Sequence, residues 1–143
     1  MQNLSRTILK THAVFLWILT VVLTLTGFIG LNTGTGPYNW LNANPMVLVG
    51  LMQAYLLMFV VGVALWIGAE GERLWRWSVV AIIAHCIPLL TIASLWDVLA
   101  AGGFLGLTAY SYVIHGSWIL VEVLSLWLFV RNQNNRSSIA PGI

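Results

Sequence analysis

The chain has 143 residues, of which 59% are apolar and only 7% charged, with a formal net charge of +2. Soluble domains carry about 25% charged residues. So small a polar complement excludes a water-facing fold and with it soluble enzymes and nucleic-acid binders, and an integral membrane protein is expected. The single cysteine, Cys86, excludes an internal disulfide and a CxxC redox motif. It lies in an apolar run and reads as a buried, inert thiol.

The first stretch, MQNLSRTILKTHAVFLWILTVVLTLTGFIGL, has a basic start and an apolar run from Ala13 to Leu31. The apolar core of a signal peptide is about 7–15 residues. This run is longer and has no small-x-small cleavage site, so a retained span is expected. A span needs about 20 mostly apolar residues. Four segments qualify, at about 8–31, 46–67, 75–98 and 105–130. NTGTGPYNWLNANP, rich in turn formers, joins the first two. GAEGER joins the second and third, and AAGGFLG the last two. With no water in the bilayer core, each span must be helical. The expected fold is therefore all-α: one domain, residues 1–143, built as an antiparallel four-helix transmembrane bundle. Gly62 would let backbones approach closely, and Gly30 and Gly34 match small-xxx-small spacing.

Orientation follows from the cations. Arg6 and Lys10 precede span one, Arg73 and Arg76 lie between spans two and three, and Arg131 and Arg136 follow span four. All six basic residues thus share one side, which the positive-inside rule makes cytoplasmic, with both termini inside. A bacterial inner membrane is the expected location. Trp66, Trp75, Trp77 and Trp127 mark the inner interface, and Trp40 and Trp96 the outer one. Trp17 and Trp118 sit deeper, where they would pack helix against helix or line a cavity. The tail RNQNNRSSIAPGI has the composition of a loose terminus.

Polar residues inside a membrane are costly and usually face the bundle interior. Those at depth are Gln53 and Tyr55 in span two, His85 in span three, and His115 and Glu122 in span four. His12 lies near the start of span one, at headgroup level. Ser111, His115, Trp118, Glu122 and Ser125 recur at steps of three and four, which puts them on one helix face. At about 1.5 Å per residue from the cytoplasmic ends, Glu122 lies roughly 13 Å deep and His85 roughly 15 Å. His115 lies roughly 24 Å deep and Gln53 roughly 21 Å. Two pairs are expected on this count: Glu122 with His85, and His115 with Gln53. Pro88 removes an amide donor and frees the carbonyl of Ala84, beside His85.

Three functions fit these residues. The first is an accessory subunit of a membrane complex, or a binder of a lipophilic ligand such as a quinone or lipid, with Glu122, His85, His115, Gln53 and Trp118 as its polar site. The second is a haem b carrier with His85 and His115 as axial ligands. The depth offset of about 9 Å argues against it. The third is a proton-coupled small transporter using Glu122. Serine-nucleophile, HExxH and Gly-rich phosphate motifs are absent from the sequence, so a non-enzymatic role is expected. Its partners would be the bilayer and other membrane subunits or further copies of itself.

Span one ending in Gly27, a neutral outer loop with Pro37, the inner loop GAEGER and the glutamate of LVEVLSLWLF together resemble the DoxX-like superfamily of small four-helix membrane proteins. The resemblance covers most of the chain. It implies four spans and a role for Glu122, and some members of that superfamily are linked to quinone-dependent oxidation of sulfur compounds. RWSVVAIIAHCIPLLT is also similar to the third helix of sterol- and sigma-ligand-binding four-helix proteins. Spans one and two here lack the acidic residues of that family's pocket.

Overall fold

The structure is a computed structural model and describes residues 2–137. It is all-α, and the described residues contain no strand. The helices are α1 (Gln2–Thr33), α2 (Met46–Glu70), α3 (Leu74–Ser94), the short α4 (Trp96–Ala101) and α5 (Leu105–Ser137). α1, α2, α3 and α5 are long and apolar enough to cross a membrane. The chain is an integral membrane protein. It divides into two compact units, residues 10–67 and residues 2–9 with 68–137.

In the first unit α1 and α2 run antiparallel. Lys10 meets Trp66, Trp17 meets Phe59, and Thr20 meets Tyr55, so a step along α1 is matched by a step back along α2. Lipid is as apolar as leucine, so helices in a membrane are joined by packing and hydrogen bonds rather than by hydrophobic burial. Here Trp17 Nε1 donates to the Phe59 carbonyl at 3.3 Å and Thr20 Oγ1 to the Tyr55 carbonyl at 3.2 Å. Gly62 makes the first contact possible: a Cβ there would meet the Trp17 ring. Trp17 is thus a packing residue of this hairpin, stacked against Phe59 and Trp66.

Gly30 and Gly34 have roles other than the expected helix–helix contact. Gly34 adopts φ +63° and its amide closes the end of α1 on the Gly30 carbonyl, at 3.0 Å. Gly30 lies against the backbone of Tyr38 in the outer loop. The pair serves the turn after α1 because the spacing runs off the helix end. Asn42 Nδ2 then donates to the Leu31 carbonyl at 2.9 Å, satisfying one of the carbonyls that a helix end leaves open.

In the second unit α3 and α5 form an antiparallel pair. The third span, expected over 75–98, breaks at Leu95, whose φ of −109° and ψ of 17° leave the helical region. Thr91 and Ser94 bond back to the Ile87 and Leu90 carbonyls, which offers the last turn an alternative to continuing. Residues 96–101 become α4, and Gly103 at φ +77° turns the chain into α5. Gly68 lies against the Trp77 ring. The tail read as loose is helical to Ser137, and residues 138–143 lie outside the described residues.

Three cations lie over indole rings. Lys10 sits 5.1 Å from the Trp66 ring centroid, Arg76 5.4 Å from that of Trp75, and Arg131 5.3 Å from that of Trp127. Such stacking lets a cation at a membrane interface lie over an indole ring.

Candidate functional site

The polar residues of α5 occupy its covered face. Glu122 and Ser125 are fully buried, and Ser111, His115 and Trp118 are half-buried. Val113, Leu120 and Leu124, off this stripe, are exposed. On α3, Ser78 and His85 are buried, seven residues apart and so on one face.

The two helices meet at their histidines. The Nδ1 atoms of His85 and His115 are 2.7 Å apart, within hydrogen-bond distance, and the ring centroids are 5.0 Å apart. The rings are tilted by 55°. His85 is buried and His115 half-buried, so the bond lies inside the spanning segments. Pro88 stands one turn beyond His85 in α3, and the helix runs through it.

This arrangement corrects the depth count. His85 and His115 share a level, where a count from the basic ends separates them by about 9 Å. That count assumes that both helices begin at one depth. They do not: α5 continues to Ser137, well past the level of Leu74. The closed end of the hairpin sets the register instead. His85 lies nine residues before Ser94, and His115 ten residues after Leu105. Glu122, seven residues beyond His115, falls about 10 Å along the axis from the level of His85. By the same register it shares its level with Ser78.

Gln53 is exposed on α2, and the buried polar residue of that helix is Tyr55. Residues two apart lie on different helix faces, and here the face of Tyr55 is the covered one. The Tyr55 hydroxyl donates to the Tyr38 hydroxyl at 3.2 Å. His12, expected at headgroup level, is fully buried. Its signal was in the sequence: Ser5, Leu9, His12, Leu16 and Thr20 recur at helical steps, and all are buried.

The histidine pair can do two things chemically. Each ring has a second nitrogen, Nε2, able to donate or accept, and the bond between the rings constrains where protons sit. A metal between them is a different matter. A metal held between two imidazoles needs bonds of about 2 Å each, the zinc–imidazole length, or about 4 Å between the nitrogens. At 2.7 Å the rings occupy each other's coordination position, and axial haem ligation does not fit this geometry. Among the described residues no three His, Cys, Asp or Glu side chains gather as a metal centre.

Compared with protein-family models, curated proteins and solved structures, the chain matches none.

Proposed function

We propose that this chain is a small bacterial inner-membrane protein that binds the hydrogen-bonding head of a lipophilic ligand at His85 and His115, as part of a larger membrane assembly. A quinone is the ligand class that fits best. The observation that carries this reading is the His85–His115 bond inside the spanning segments. In a neutral pair joined through Nδ1, one ring has a donor at Nε2 and the other an acceptor. A quinone carbonyl accepts a hydrogen bond and a quinol hydroxyl donates one, so the pair suits either state.

Two further observations support the reading. Gln53 is an amide exposed on a spanning helix, where hydrocarbon offers it no partner and a neighbouring subunit would. The resemblance to DoxX-like proteins points toward quinones as well. The six cations would lie on the cytoplasmic side.

The test is what copurifies in mild detergent. Solvent extraction and mass spectrometry of the wild type should return a stoichiometric quinone, reduced several-fold in His115→Leu. Absence of quinone from the wild type contradicts the reading, as does an unchanged yield from the variant. A Soret band would overturn it in favour of haem.

A further inference from the structure

The two facing ring nitrogens cannot both carry protons at 2.7 Å, and two bare nitrogens would repel each other. One proton therefore lies between them. While both rings are neutral they hold opposite tautomers: one has Nδ1–H and a bare Nε2, the other a bare Nδ1 and Nε2–H.

We propose that the His85–His115 pair is a proton-transfer site linking α3 to α5. A proton arriving at the bare Nε2 forms an N–H bond there and makes that ring an imidazolium. Its Nδ1–H bond breaks as the proton passes to the Nδ1 of the second ring. The second ring, now the imidazolium, loses its Nε2 proton to its surroundings. One proton enters, one leaves, and the tautomers exchange. The first arrangement returns when the rings part and each exchanges with its surroundings, the first losing its Nε2 proton and gaining one at Nδ1, the second losing its Nδ1 proton and gaining one at Nε2.

Buried polar side chains stand on both sides of the pair, about 10–15 Å along the axis from it. Buried Thr108, Glu122 and Ser125 share the His115 side of α5, and buried Ser78 stands on α3 at the level of Glu122. From Thr108 to Ser125 is about 25 Å along the helix axis. The hydrocarbon core is about 30 Å thick. This inference stands on the geometry of the pair and does not require the ligand proposed above.

The experiment uses the full chain in liposomes without quinone, with a pH-sensitive dye inside and a valinomycin-clamped potassium gradient as the driving force. The wild type should acidify the lumen at least tenfold faster than protein-free vesicles. His85→Asn and His115→Asn, checked for helicity by circular dichroism, should fall to the protein-free rate, and Glu122→Gln toward it. A fully helical wild type at the protein-free rate overturns the proposal, as do histidine variants at the wild-type rate. Should the variants not fold, carbethoxylation of His115 in the folded wild type, mapped by mass spectrometry, decides. Flux should be lost and hydroxylamine should restore it. Flux that persists with His115 modified overturns the proposal.

Discussion

His85 on α3 and His115 on α5 are joined through their Nδ1 atoms, 2.7 Å apart, at one level within the membrane-spanning part of the chain. Truncating either ring leaves a nitrogen of the other without this partner. Hydrogen bonds between membrane helices are worth about 0.6 kcal/mol on average and up to about 1.7. His85→Leu and His115→Leu are each expected to destabilise the fold by about 1 kcal/mol in detergent unfolding titrations. The double variant should lose less than the sum, by about 0.5–1 kcal/mol. Strict additivity would contradict a direct bond.

Glycine positions separate close approach from mere flexibility. A Cβ at Gly30 would run into the backbone of Tyr38, which cannot swing away as a side chain can. At Gly50, in the first turns of α2, nothing lies within 4 Å. Gly30→Ala should therefore cost about 1–3 kcal/mol. Gly50→Ala should be neutral or stabilising by up to about 1 kcal/mol. Melting temperatures in one detergent would rank the two, and the reverse order would contradict the packing at the end of α1.

Spans, loops and the covered face of α5 were legible in the sequence, because runs of apolar residues and steps of three and four report directly on helices. The break at Leu95 was not, since WDVLAA is as helical in composition as what precedes it. The pairing of His85 with His115 was missed for a physical reason. Periodicity fixes which face a residue occupies but not how far one helix slides past another, and the depth count used the free ends. Counting from the short α3–α5 connection finds the pair. His12 was read as a headgroup residue by its place in the chain, although its phase with Leu9 and Leu16 marked it as covered.

Glu122 is fully buried on α5, with buried Ser125 one turn away. Glu122 interacts with another group of the chain, and Glu122→Leu, which removes that interaction, is expected to cost about 1–3 kcal/mol. Glu122→Gln keeps the shape and hydrogen bonding and should stay within about 1 kcal/mol of the wild type. Chemical unfolding of both variants separates a role for polarity from one for volume; equal losses would show that volume alone matters.

Orientation can be read in cells by thiol labelling. In a Cys86→Ser background, Thr35→Cys in the first loop should react with a membrane-impermeant maleimide added outside. Gly71→Cys, in the turn before Arg73 and Arg76, should react only after the membrane is opened. Both positions are exposed. The opposite pattern would contradict the cytoplasmic placement of the six cations.

The central claim is that one proton joins His85 to His115. The direct measurement is the nitrogen spectrum of the ¹⁵N-histidine-labelled protein in lipid. A neutral pair joined by one proton predicts a through-hydrogen-bond coupling between the two Nδ1 nuclei, with one Nε2 protonated and the other bare. Two uncoupled Nδ1 nuclei, or both rings in the same tautomer, would contradict it.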